Sequence, residues 1–261
     1  MDDRPVGIFD SGVGGLSVVE AFQRVAPTEA ILYFADTAWF PYGPRPAAEV
    51  RKRSFAITQR LLEGGAKLVL VACNTASAAA IDDLREAFDV PFVGMVPGVK
   101  PAAAGSRSRR VVILATEGTF DGDLYARVVE EFGRGTVIVA VPGTGLAEMV
   151  EAGDAGSERS RLALGRALQG EMRAGADTVV LGCTHYHFLA QDILDLYPGV
   201  AIVDTCEAVA KRAKHLLDER DLAAAQGREG HLDLICSGDR GAFEQAMRRC
   251  GFARPALEAV E

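Results

Sequence analysis

Short apolar runs alternate along this chain with longer stretches in which apolar positions recur every three or four residues. The runs at Val6–Phe9, Ile31–Ala35, Leu68–Ala72 and Pro91–Gly94 are rich in Val, Ile and Leu and show no polar alternation. Strands read this way when both faces of a parallel sheet are covered. Between them, Leu16–Val25, Ala47–Glu63 and Ala76–Ala87 carry the helical period. The series then begins again. Strands predicted at Val111–Ala115, Val137–Val141, Thr178–Gly182 and Ala201–Val203 follow at offsets of about 106 to 110 positions, with helices over Gly122–Phe132, Arg159–Ala174 and Leu189–Tyr197. The pattern predicts an α/β protein of two similar domains with mainly parallel sheets.

A cluster of chain breakers, GMVPGVKPAAAGSRS, precedes the second series and reads as the crossing between domains. A helix over Glu207–Leu217, a strand over Leu232–Cys236 and a helix over Ala242–Arg249 remain after it, and are assigned back to the first domain. The expected domains are therefore residues 1–97 with 207–261, and residues 98–206. The stretch Asp218–Gly230 leaves helix or loop open.

Composition narrows the class. A chain of 261 residues can bury a large core without disulfides or metal. A net charge of -8 argues against a nucleic-acid or anionic-membrane surface, either of which needs a basic face. Arg107, Arg109 and Arg110 form the one basic cluster of note, read as a solvated turn. MDDRPVGIFD lacks the apolar core of a signal peptide, and no run nears the roughly 18 apolar residues of a membrane span. A cytoplasmic location is expected. There the five cysteines stay reduced, and without CxxC spacing they fit neither a disulfide framework nor a zinc knuckle.

Two of the cysteines occupy equivalent places. KLVLVACNTAS and DTVVLGCTHYH each run apolar into a cysteine, Cys73 and Cys183, 110 positions apart. In open parallel sheets ligands bind beyond the carboxyl ends of the strands. A helix N-terminus there lowers a thiol pKa from about 8.5 toward neutrality, so both thiols are candidate bases or nucleophiles. If the two domains face each other across a cleft, related by an approximate two-fold axis, the thiols approach a ligand from opposite sides. That suits inversion of a carbon bearing an acidic hydrogen, one group removing the proton and the other delivering one. Cys206, Cys236 and Cys250 lack such partners and are read as filler.

The remaining polar groups gather at equivalent strand ends. FDSGVGGLS sets Asp10 and Ser11 after the first strand, with glycines for close backbone approach and a helix start able to hold an anion. ATEGTF, with Thr116 and Thr119, is its counterpart, and Asp36 ends the second strand ahead of the turn PYG. Hydroxyls and backbone donors with few cations suit a small carboxylate substrate. No GxxxxGK[ST] element is present, and Lys67 lies at the wrong end of its strand to hold pyridoxal phosphate, so no cofactor is expected. A metal set of Cys183, His185 and His187 with Cys73 has a permissive spacing that is not diagnostic, no further ligand cluster supports it, and no metal is expected. His187 is read as a cleft-lining or surface residue.

In order and spacing DSGVGGLS, YFADT, PYG, ACNTAS, ATEGT and GCTHY resemble the glutamate racemases of the aspartate/glutamate racemase superfamily, over nearly the whole chain. The resemblance implies cofactor-independent interconversion of L- and D-glutamate, supplying the D-isomer for peptidoglycan in the bacterial cytoplasm. By position it implies that Cys73 takes the α-proton from D-glutamate and Cys183 from L-glutamate, assisted by Asp10 and His185. Asp36 and Glu151 take lesser parts. Substrate contacts are implied for Asp10, Ser11, Tyr42, Gly43, Asn74, Thr75, Thr184 and His185. Family members often form dimers, which makes a homodimer the expectation. Racemisation of aspartate or another small acidic compound, and a non-catalytic regulatory binding protein on the same fold, are the alternatives. The chain departs from the family's pattern at His187, where proline is usual, and at Cys206, where a small residue is usual. VAVPGTGLAEMVEAG is looser than its equivalent, which leaves both Glu148 and Glu151 as candidates.

Overall fold

The structure, a computed structural model, describes residues 1–252. The first series of elements is β1 (Val6–Asp10), α1 (Leu16–Val25), β2 (Ile31–Ala35), α2 (Ala47–Glu63), β3 (Leu68–Val71), α3 (Asn74–Ala87) and β4 (Phe92–Gly94). After α4 (Val99–Gly105) come β5 (Arg110–Ala115), α5 (Glu117–Phe120), α6 (Asp123–Phe132), β6 (Val137–Pro142), α7 (Leu146–Ala152) and α8 (Glu158–Arg173). The second series ends with β7 (Thr178–Gly182), a 3-10 segment (Thr184–Leu189), α9 (Ala190–Leu196) and β8 (Ala201–Val203). The tail adds α10 (Cys206–Glu219), β9 (Leu232–Cys236) and α11 (Arg240–Arg249).

These strands make two sheets, ordered β4-β3-β1-β2-β9 and β6-β5-β7-β8, and every pairing is parallel. Read from its other edge the second sheet is β8-β7-β5-β6, the first four strands of its partner shifted by one series. The duplication seen in the sequence therefore extends to topology. The protein is two similar parallel-sheet α/β domains, with β9 the one strand among the described residues that has no counterpart. In each, the chain steps from the first strand to one side and later returns to build on the other. The reversal falls between β1 and β3, and between β5 and β7. Ligands bind at such switch points.

Burial follows the alternation of the strands. Along β3, Leu68 and Leu70 join the core under α1 and α10, while Val69 and Val71 join that under α2 and α3. Each such fully buried side chain contributes roughly 1.5–3 kcal/mol. Continuing the alternation sends Ala72 to the first face and Cys73 to the second. Lys67, at the entry to β3, is buried 2.6 Å from Glu29 and donates to the Asp2 carbonyl. Its ammonium is spent on structure.

Three expectations need correction. The breaker-rich crossing contains α4, whose Pro101 lies in the first turn, where a missing N–H costs no helical bond. A further helix, α7, follows β6 where none was expected. After GCTHY the chain forms a 3-10 segment where none was expected, ahead of α9, which falls within the helix expected at Leu189–Tyr197. The stretch left open resolves as the end of α10 followed by loop over 220–231. Residues 253–261, assigned to the first domain, lie outside the described residues. Among the described residues no helix is long and apolar enough to cross a membrane.

Candidate active site

The ends of β1, β3, β5 and β7 meet around one cleft of about 590 Å³, mouth included. Its wall carries all ten expected site residues: Asp10, Ser11, Tyr42, Gly43, Cys73, Asn74 and Thr75 from the first half, and Cys183, Thr184 and His185 from the second. Cys73 caps α3 and Cys183 caps the 3-10 segment, both in extended backbone with φ of -142 and -148°. The two thiols are thus equivalent in local fold as well as in sequence.

Their partners differ. Cys183 Sγ lies 3.9 Å from His185 Nδ1, and the other ring nitrogen, Nε2, is 2.9 Å from Glu151 Oε1. Burial alone would lower the pKa of His185. The hydrogen bonds and negative charge offered by Cys183 and Glu151 outweigh that and hold it well above the ordinary imidazole value. A protonated ring beside Cys183 can stabilise negative charge on the sulfur. Cys73 instead shares its surroundings with the carboxyl of Asp10, whose Oδ2 accepts from Thr184 Oγ1 at 2.8 Å and whose Oδ1 accepts from Ser11 N at 2.6 Å. Burial pushes Asp10 up, against the pull of His185 and these donors.

The expectation that a helix N-terminus would lower the Cys73 pKa is overturned. Burial, followed by the charge of Asp10, pushes this thiol well above its ordinary value, and the bond from Ala76 N at the start of α3 does not compensate. A group 5% exposed loses more solvation than one helix turn restores.

The glycine loop after β1 also acts differently from expectation. A Cβ on Gly14 would meet His185 Nδ1 and Thr184 Oγ1 at 2.5 Å, and one on Gly12 would strike Glu151 Oε1. The glycines admit side chains of the second half, and the anion that the loop holds is Glu151, which accepts from Val13 N at 2.8 Å. Glu148 lines the cleft, while Glu151 is the one that bonds to His185. Thr75 Oγ1 and Thr116 Oγ1, 2.8 Å apart, make a further link across the halves.

Asp36 organises the rim of the first half. It is fully buried and accepts from Tyr42 OH at 2.5 Å, from Arg53 Nε and Nη2 at 2.7 and 2.6 Å, and from Ser237 Oγ at 2.7 Å. The phenolic proton of Tyr42 is therefore committed to Asp36. Sequence reasoning missed Arg53 and Ser237, which lie on α2 and just past β9, far from any strand-end motif. It also missed Phe40, whose ring sits 5.3 Å from that of His185.

Asn74 stands apart. It is 3% exposed on the cleft wall, and neither its Nδ2 nor its Oδ1 has a hydrogen-bond partner among the described residues. A buried polar group left unpaired costs about 1–3 kcal/mol, so this amide favours a polar ligand. His187 does not join the cleft or the metal set considered above. It is half exposed, and its Nδ1 lies 2.7 Å from Asp204 Oδ2.

Duplicated α/β halves that each bring a thiol to one shared cleft define a class of isomerase built for proton transfer on two faces of a carbon. A family model described as Asp/Glu/Hydantoin racemase matches residues 15–213. A glutamate racemase of Herpetosiphon aurantiacus is 44% identical over 251 residues, 96% of this chain and 98% of that one. Glutamate racemase isoform RacE1 of Bacillus anthracis superposes with a TM-score of 0.90 at 29% identity, covering 100% of this chain and 98% of that one. The Francisella tularensis glutamate racemase, solved in complex with D-glutamate, gives 0.87 at 26% identity with the same coverage. The chain belongs to the Asp/Glu/Hydantoin racemase family and, within it, to the glutamate racemases.

Proposed function

We propose that the protein interconverts L- and D-glutamate by two-base proton transfer, with Cys73 removing the α-proton of the D-isomer and Cys183 that of the L-isomer. The observation that carries this reading is the presentation of a thiol to one cleft by equivalent strand ends of both halves. Removal on one face and delivery on the other inverts the carbon, and leaves each thiol in the state needed for the return reaction. The α-hydrogen is a very weak acid, so charge developing on the substrate needs support. The Asn74 amide and the hydroxyls of Ser11, Thr75 and Thr184 suit a carboxylate, with the backbone at Tyr42 and Gly43 closing the rim. Asp10 serves Cys73, and His185, anchored by Glu151, serves Cys183. The Francisella tularensis complex with D-glutamate supports a small amino-acid substrate.

Circular dichroism tests the substrate class. Starting from each L-enantiomer, glutamate should lose its ellipticity at least tenfold faster than aspartate; faster loss from aspartate, or none from either, would sink the reading. The proposal extends to domains at 1–97 with 207 onward and 98–206. In support, Val99 and Ala102 pack into the second core and Val209 and Ala210 into the first. It extends also to a homodimer acting in the cytoplasm, where D-glutamate is drawn into peptidoglycan, and sedimentation equilibrium tests the dimer.

A further inference from the structure

The two side chains at which the sequence departs from its family's pattern meet outside the cleft. His187, in the 3-10 segment, and Cys206, at the start of α10, flank Asp204, and one donor atom from each of the three lies within 4.8 Å of the others. Asp204 is already oriented for such a cluster. Its Oδ1 accepts from Cys206 N at 2.7 Å, which leaves Oδ2 directed at His187 Nδ1, 2.7 Å away. The Cys206 thiol lies 3.4 Å from Ser17 Oγ.

We propose that His187, Asp204 and Cys206 form a binding site for a zinc-class divalent cation, separate from the catalytic cleft. One nitrogen, one carboxylate oxygen and one sulfur are the ligand types zinc takes, and three protein ligands leave its fourth position to water. Tetrahedral bonds of about 2.0–2.3 Å set the donor atoms roughly 3.3–3.7 Å apart. The His187–Asp204 pair therefore opens by less than about 1 Å, which a half-exposed imidazole allows. On binding, the proton between His187 Nδ1 and Asp204 leaves to solvent, or moves to the outer ring nitrogen where that nitrogen was bare, and the Cys206 thiol proton leaves to solvent. Glu20 and Arg24 of α1 act on His187 with opposite sign, so Asp204 sets the charge that meets the cation, and Cys206, whose thiol pKa is pushed up by burial, becomes a thiolate as the cation binds. The ion would strap the segment carrying Thr184 and His185 to the point where the chain recrosses into the first half.

Cobalt(II) tests this on the full chain with Cys73→Ser and Cys183→Ser, so that the cleft thiols do not compete. One equivalent should bind with a thiolate-to-cobalt charge-transfer band. Cys206→Ser should remove the band, and His187→Ala and Asp204→Asn should each weaken binding about tenfold or more. His187 and Asp204 are exposed, so these two variants report even if the Cys206 change disturbs folding. Absence of the band in the parent, or a titration that none of the three substitutions alters, overturns the site.

Discussion

Cys73 follows β3 and caps α3, a helix of 14 residues, whereas Cys183 follows β7 and caps a 3-10 segment of 6. Cys73 is nearly sealed from solvent beside a carboxyl group, whereas Cys183 is partly exposed beside an imidazole held by a second carboxylate. Equivalent backbone thus carries unlike electrostatics. The supports are exchanged between halves: Thr184 of the second donates to Asp10 of the first, and Glu151 of the second is held by Val13 N of the first. Neither half is a complete site, since each supplies groups that hold the side chains of the other.

The comparison breaks most visibly at the thiols. Cys73→Ser and Cys183→Ser are each expected to lower net racemisation about 10²–10⁴-fold, the range for loss of a positioned acid–base group. In deuterated water, Cys73→Ser should keep α-proton exchange from L-glutamate and Cys183→Ser from D-glutamate. Equal exchange of both enantiomers by either variant would show that the thiols are not assigned to opposite faces.

Next in size is Asn74→Ala. This amide is buried, unpaired and adjacent to Cys73 in sequence, but a group that grips the substrate serves both directions alike. Losing a hydrogen bond to a charged ligand costs about 2 kcal/mol, so KM for both enantiomers should rise about 30-fold. Tm should hold or increase, because an unsatisfied polar group is removed. A rise in KM confined to one enantiomer would tie Asn74 to a single thiol.

How far the sequence foretold this asymmetry depends on the kind of signal. Uninterrupted apolar runs such as LVLV encode strands that are buried on both faces, and the repeat at 110 positions encodes the second copy. Strand-end position then collects Asp10, Cys73, Cys183 and His185 at one cleft. The environment of each thiol is different in kind. Burial of Cys73 arises from α2 and α3 packing over it, and no local motif reports that. The choice of Glu151 over Glu148 depends on the helical phase of α7, which lies in a looser stretch of sequence. Arg53 and Ser237 reach Asp36 through contacts between residues far apart in the chain, the latter at a separation of 201. His187 faces Asp204 from a 3-10 segment, a short element with i to i+3 spacing that the sequence pattern did not announce ahead of the helix expected from Leu189.

Glu151→Gln sharpens the comparison from the second half. It keeps the hydrogen bond and removes the charge that raises the His185 pKa. A loss of about 1.4 kcal/mol, or tenfold, is expected in kcat from L-glutamate, with a smaller effect from D-glutamate. The sign of the pH effect follows from the raised pKa. His185 carries its proton until the pH passes its folded value, so the alkaline limb of the L-glutamate profile should move to lower pH in the variant. The stabilisation from this pair is complete below the ordinary imidazole value of 6.5 and is lost as pH rises through the raised one. An unmoved alkaline limb would assign the limb to another group.

The smallest effect belongs to β9, which among the described residues has no counterpart in the second half. Ser237, just past its end, donates to Asp36 Oδ1 at 2.7 Å and accepts from Ala38 N at 3.1 Å, so it buttresses the rim that carries Tyr42. Asp36 retains Arg53 and Tyr42 in Ser237→Ala, so no buried charge is stranded. The expected cost is about 1 kcal/mol, or roughly 2–4 °C in Tm for a chain of this size. Because Tyr42 borders the cleft with its hydroxyl bonded to Asp36, and Asp36 keeps that bond in the variant, kcat should change less than about twofold, and equally in both directions. A loss that favours one enantiomer would mean the extra strand does more than brace the rim. It would then be part of what sets the environment of Cys73 apart from that of Cys183.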